Sequence, residues 1–171
     1  MAGQSHHTLD LPTFEKAPKV LIVVAPYYKD IADDMIAGAR RTLEQAGAEV
    51  ELVEVPGALE IPTAIRIAQR NGDFDGYVAL GCVIRGETTH YDTVCNDSSR
   101  ALTLLGLDGC CIGNGILTVE NYDQAAVRAG EQDKGGGAAA AALHLIALSR
   151  KWSRTGKGIG FKPRNEDGAG A

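Results

Sequence analysis

The chain switches repeatedly between two hydrophobic periods. Val20-Leu21-Ile22-Val23-Val24 is an unbroken apolar run, the pattern of a central parallel strand buried on both faces. From Asp30 to Ala46 the apolar positions Ile31, Met35, Ala39, Leu43 and Ala46 share one helical face, and Gly47 follows as a stop. Glu49 to Val55 alternates charged and apolar residues, which predicts a half-buried or edge strand. Pro56-Gly57 predicts a turn. Glu60 to Arg70 reads as a helix with Ile61, Ile65 and Ala68 inward, stopped by Asn71-Gly72. Tyr77 to Cys82 is a second buried strand. From about Thr88 the helical period returns through Tyr91, Val94, Cys95, Leu102 and Leu105, ending near Gly106. Cys110 to Ile112 begins a fourth short strand, followed by Gly113-Asn114-Gly115. Glu120-Asn121 opens a helix to about Gln132, which Lys134-Gly135-Gly136-Gly137 breaks. A last, alanine-rich helix runs from about Ala138 to Lys151.

Strands and helices thus alternate, with two helices at the end. That order predicts a single three-layer α/β/α domain around a doubly wound, four-stranded parallel sheet of the flavodoxin-like kind. The domain is expected over residues 19–152. An extended N-terminal segment, 1–18, and an aperiodic C-terminal tail, 153–171, flank it.

Composition narrows the class. A net charge of -5 favours neither nucleic acid nor an anionic membrane as partner. The longest weakly polar run, Gly135 to Leu148, is too short to span a bilayer. The first residues are polar and carry no signal-peptide core, so a cytoplasmic location is expected. Cys82, Cys95, Cys110 and Cys111 form no Cys-x-x-Cys pair, which points to reduced thiols and not to a disulfide or zinc framework. His6 and His7 form a terminal pair expected to be inert. Gly113-Asn114-Gly115 resembles the front of a dinucleotide fingerprint, but Thr118 stands where the third glycine belongs. Gly156-Lys157-Gly158 lacks the upstream glycine and following hydroxyl of a phosphate loop.

Chemistry concentrates after the Tyr77 strand, in Val83-Ile84-Arg85-Gly86-Glu87-Thr88-Thr89-His90. A glycine loop leads there from a strand end into a helix start. Open α/β sheets keep ligand crevices at strand ends, and the first helical turn offers free N–H groups to an anion. Thr88 and Thr89 add hydroxyls, and His90 adds a group suited to proton transfer near neutrality. Turn formation and helix capping account for the same residues without function.

This stretch resembles the signature of the lumazine synthases. Pro56-Gly57-Ala58-Leu59-Glu60-Ile61-Pro62 and Gly115-Ile116-Leu117-Thr118-Val119-Glu120-Asn121 match two further motifs of that family, in its order and at about its spacing. The resemblance runs from Lys19 to Trp152. It implies condensation of 5-amino-6-(D-ribitylamino)uracil with 3,4-dihydroxy-2-butanone 4-phosphate to 6,7-dimethyl-8-ribityllumazine, releasing phosphate and water. No metal or organic cofactor is implied. Both substrates are small molecules, and the family assembles as homopentamers, some of which build hollow shells. Its N-terminal segment tends to run along a neighbouring subunit's sheet.

The resemblance also implies roles. Tyr27 matches an aromatic that stacks on the heterocycle; Tyr28 stands where well-known members carry a small polar residue. Ala58, Leu59 and Glu60 match positions that bind the ribityl chain and uracil edge, although a helix-start glutamate is also favoured by the dipole. Val83 and Ile84 match residues bordering the pyrimidine. Gly86, Glu87 and Thr88 match the phosphate turn, with Glu87 expected to offer backbone only. His90 matches the proton-transfer residue. Arg128 and Lys134 match phosphate-binding cations, though both also suit a solvated helix face. Their connecting link is shorter than is typical, which favours a free pentamer over a shell. Asn114 stands where many members place an aromatic or apolar residue. In the family, Asn114, Arg128 and Lys134 come from the adjacent subunit.

Three other readings compete. A non-catalytic lumazine or flavin carrier keeps Tyr27 and Glu60 but has no need of Thr88, His90 and Arg128. A generic dinucleotide-binding module of this fold predicts dinucleotide binding and no pentamer. A purely structural shell protein needs none of the polar site residues.

Overall fold

The computed structural model describes residues 7–155. Four parallel strands, β1 (Lys19–Val24), β2 (Glu49–Glu54), β3 (Gly76–Ile84) and β4 (Ile112–Val119), form one sheet in the order β2-β1-β3-β4. Helices α1 (Lys29–Gln45), α2 (Ile61–Asn71) and α3 (His90–Leu107) connect successive strands, and α4 (Tyr122–Ala129) and α5 (Lys134–Thr155) follow β4. This is the flavodoxin-like α/β/α arrangement that the alternating periods predict. His6, the tail beyond Thr155 and its Gly156-Lys157-Gly158 lie outside the described residues.

The pleat of β1 explains its unbroken apolar run, because successive side chains feed two cores. Val20, Ile22 and Val24 pack with Met35, Leu43, Leu143 and Ile146 of α1 and α5. Leu21 and Val23 pack with Ile61, Ile65, Leu102 and Leu105 of α2 and α3. β2 is one of the two edge strands, with Glu49, Glu51, Val53 and Glu54 exposed; charge along an unpaired edge opposes further strand addition.

The glycine-rich segments depart from expectation. Gly113-Asn114-Gly115 does not end the fourth strand but lies inside it, and β4 runs on to Val119. A Cβ added at Gly113 would strike the Ala138 carbonyl of α5, so bare backbone is what lets helix and strand approach. Likewise Lys134-Gly135-Gly136-Gly137 does not break a helix but forms the first turn of α5. A Cβ at Gly135 would strike the Met35 carbonyl of α1. The break falls earlier, at Gly130 to Asp133. Asp133 takes a left-handed conformation, φ 44°, its Oδ1 accepts from the Gly136 N–H at 3.1 Å, and it pairs with Arg41 at 3.5 Å. That side-chain cap starts α5 at Lys134.

At the amino ends of the strands, the Lys19 ammonium meets Asp73 at 2.7 Å and Glu51 at 3.1 Å. Arg150 of α5 donates to the Lys16 carbonyl at 2.6 Å and pairs with Asp75 at 3.2 Å. Phe14 lies beneath the Arg150 guanidinium at 5.4 Å, and Leu11 and Phe14 pack on this chain's own core. Among the described residues no helix is long and apolar enough to cross a membrane, and no three His, Cys, Asp or Glu side chains are grouped to hold a metal ion.

Candidate active site

In a doubly wound sheet the chain leaves neighbouring strands toward opposite faces at one point, and a crevice opens there beyond the carboxyl ends. Here that point lies between β1 and β3. A cleft of about 400 Å³ occupies it, lined by Ala25, Tyr27 and Tyr28 after β1, by Cys82, Val83 and Ile84 of β3, by Pro56 to Glu60 after β2, and by His90 and Val94 of α3.

Each wall has a local cause. The Ala25 N–H donates to the Leu80 carbonyl at 2.9 Å, extending the β1–β3 pairing one residue before the chain turns away. Tyr28 then takes φ -105° and ψ 97° ahead of α1. Tyr27 projects into solvent, 76% exposed, and its ring meets that of Tyr28 edge-on, with centroids 5.1 Å apart and planes at 70°. The Pro56-Gly57 turn feeds a single 3-10 turn at Ala58–Glu60, where the Glu60 N–H donates to the Gly57 carbonyl at 3.2 Å. A Cβ on Gly57 would stand 2.9 Å from Glu60 Oε2, so the glycine leaves room for that carboxylate over the turn.

Among the described residues on this lining, Glu60 is the one carboxylate and His90 the one imidazole. The rear wall stays uncharged. Burial pushes the Cys82 thiol up to about 11, so it is protonated at neutral pH and a poor nucleophile. Burial foremost, then the neighbouring Cys82 and Tyr27, also raises the Tyr28 phenol.

His90 opens α3. Its backbone N–H lies 3.4 Å from Thr88 Oγ1, and Thr89 ahead of it makes no side-chain cap. The His90 N–H is thus taken up by that hydroxyl, and the Asp92 N–H donates to the Thr89 carbonyl at 3.0 Å. Gly86, Glu87 and Thr88 are exposed on this turn and line no part of the cleft. Arg85 braces the turn from behind. Its Nε donates to Glu120 at 2.8 Å, its terminal nitrogen reaches Asp92 at 3.5 Å, and its guanidinium lies 4.1 Å over the Tyr91 ring. Glu120 foremost raises the Arg85 pKa, so the arginine stays charged and tethers the end of β4 to the start of α3.

The remaining expected residues lie elsewhere. Asn114, Arg128 and Lys134 line a second cleft of about 470 Å³, with Thr118, Gly137 and Ala141. The Asn114 carboxamide accepts from the Ile116 N–H at 3.0 Å. An Asn121 cap, accepting from the Gln124 N–H at 3.0 Å, starts α4, and Arg128 donates to the Gln124 carbonyl at 3.0 Å. Asp133 fixes Lys134 at the start of α5. None of these three residues lines the His90 cleft.

Sequence reasoning leaves Cys82, Pro56 and Val94 unassigned. The signal for Cys82 is parity, since it shares a face of β3 with Ile84 two residues on.

A family model described as 6,7-dimethyl-8-ribityllumazine synthase matches residues 17–150, a span that contains both clefts. The chain belongs to the 6,7-dimethyl-8-ribityllumazine synthase family. It is similar to the 6,7-dimethyl-8-ribityllumazine synthase of Jannaschia sp. (strain CCS1), with 59% identity over 96% of this chain and 93% of the relative. The synthase of Novosphingobium aromaticivorans is 56% identical over 79% of this chain and 99% of its own length. That of Methylorubrum populi is 54% identical over 77% of this chain and 83% of its own. Of the three matching motifs, Pro56 to Glu60, Val83, Ile84 and His90 line the first cleft and Gly115 to Thr118 the second.

Proposed function

We propose that the strand-end cleft is where this chain performs the lumazine synthase reaction, and that each site is completed by a second subunit. Family membership makes the chain a transferase of riboflavin biosynthesis. It condenses 5-amino-6-(D-ribitylamino)uracil with 3,4-dihydroxy-2-butanone 4-phosphate to 6,7-dimethyl-8-ribityllumazine, releasing phosphate and water. The observation that carries the site is the meeting of Tyr27, Glu60 and His90 in one crevice at the switch point.

The pyrimidine stacks on Tyr27 and is bordered by Val83 and Ile84. Ala58, Leu59 and Glu60 take the uracil edge and ribityl hydroxyls, a carboxylate being a natural acceptor for hydroxyl donors. The phosphate of the second substrate lies on the turn of Gly86, Glu87 and Thr88, at the positive end of α3. The amine attacks the ketone, phosphate departs, and the ring closes with loss of water. Each of these steps moves a proton, and His90 at the rim moves it. Holding both reactants side by side supplies much of the remaining rate.

Arg128 and Lys134 are the cations suited to the departing phosphate, and Asn114 lies beside them. In the described chain they face a different cleft from His90. This supports their delivery to a neighbour's site in a cyclic homo-oligomer, and a pentamer is the assembly we propose.

The test is lumazine formation from the two substrates by wild type, His90→Ala and Arg128→Ala. Expected is clear turnover by wild type, a loss of about 100-fold in kcat for His90→Ala, and a raised KM for the phosphate substrate with Arg128→Ala. A wild type that binds the lumazine but makes none above the uncatalysed rate overturns the catalytic assignment in favour of a carrier.

A further inference from the structure

We infer that Tyr28 is a positioning residue for pyrimidine binding, setting the face that Tyr27 turns toward the cleft. The inference rests on the proposed site but goes beyond its residue roles. A stacking platform must keep its face open to the ligand, and Tyr27 at 76% exposure does so. Exposure leaves a side chain free to change rotamer, and every rotamer lost on binding weakens affinity. Something must hold the ring before the ligand arrives.

Tyr28 is placed to do it. Its ring stands edge-on to Tyr27, 5.1 Å between centroids at 70°, the geometry in which a positive ring edge meets a negative ring face. Tyr28 is itself anchored. It is half-buried against the core beside Cys82 and Ile84, and both of those residues line the same cleft. Of the two touching rings, Tyr28 is the half-buried one and Tyr27 the exposed one. Desolvation keeps the phenol protonated, so the support is uncharged. The anchored ring therefore fixes the exposed one, and the cleft meets its heterocycle with a pre-set wall.

The experiment measures KM for each substrate, kcat, and the Kd of the lumazine product by its own fluorescence. It compares wild type, Tyr28→Phe, Tyr28→Ala, Tyr27→Ala and the double variant. Loss of an edge-to-face contact corresponds to about a threefold to tenfold weakening. Tyr28→Ala is expected to raise the pyrimidine KM and the product Kd by that factor, leaving kcat and the phosphate-substrate KM in place. Tyr28→Phe keeps the ring and should restore wild-type values. In a Tyr27→Ala background, Tyr28→Ala should add nothing.

A Tyr28→Ala chain that binds like wild type overturns the inference, as does one whose kcat and both KM values change together. A Tyr28→Phe chain as weak as Tyr28→Ala overturns it in favour of a hydroxyl contact. If wild type binds product without turning over, the catalytic reading fails while the Kd series still decides the role of Tyr28. If wild type binds no lumazine, both fall.

Discussion

Gly113→Ala is a one-atom test of how the second cleft is built. Gly113 is buried on β4 beneath α5, and an added Cβ would fall on the Ala138 carbonyl, with the carbonyl carbon also closer than any real contact. Both obstacles are backbone, so no side chain can rotate out of the way. Either α5 rises from the sheet or β4 bows. Overpacking a well-filled interior costs about 1–3 kcal/mol, and the backbone collision puts this case at the upper end. For a chain of 171 residues, a loss of about 3 kcal/mol lowers the melting midpoint by roughly 6–12 °C. Because Lys134 begins the same helix, the KM for the phosphate substrate should rise as well. Gly137→Ala is the control. It lies on the open side of α5, where an added Cβ meets nothing within 4 Å, and removing a helical glycine stabilises by up to about 1 kcal/mol. Calorimetric melts of both variants should therefore move in opposite directions. A Gly113→Ala chain that melts at or above wild type would refute the close-approach argument.

Arg128→Lys keeps the charge but loses the two-pronged geometry, so steady-state kinetics should place its phosphate-substrate KM between those of wild type and Arg128→Ala. Asp133→Ala removes the cap of α5 and puts a Cβ residue without a polar side chain at φ 44°. It should cost about 1–2 kcal/mol in denaturant unfolding, with Asp133→Asn losing less because it keeps an acceptor and tolerates the left-handed region. The Cys82 thiol is raised on folding from 9.0 to about 11, so its neutral form favours the folded state. That contribution is complete below pH 9 and fades as the pH climbs toward 11. Iodoacetamide labelling of Cys82 should accordingly stay slow at pH 8 and accelerate across that window.

The two buried strands and the long helices are legible in the sequence because burial on one or both faces leaves a periodic trace. Val20 to Val24 and the Ile31-Met35-Ala39-Leu43 stripe each meet the core that their spacing implies. Glycine misleads where it serves packing and not turning. Gly113 and Gly115 look like the end of a strand, and Gly135 to Gly137 like the end of a helix. Yet Gly113, Gly115 and Gly135 mark places where one backbone presses on another element. Such contacts join distant parts of the chain and leave no local period. The candidate site divides in the same way. Glu60 and His90 can be found from motifs at strand ends, whereas nothing in the local pattern around Arg128 and Lys134 separates them from that cleft; the resemblance alone implies it, and in the chain they line a different cleft.

The separation of the two clefts has a genetic consequence. If every site takes His90 from one chain and Arg128 from the next, each protein molecule carries halves of two different catalysts. A His90→Ala allele and an Arg128→Ala allele, each deficient when alone, should then complement when expressed together. Mixed rings would hold junctions where an intact His90 side faces an intact Arg128 side, and growth without riboflavin would report them. Damage in one chain would reach no further than its own two junctions.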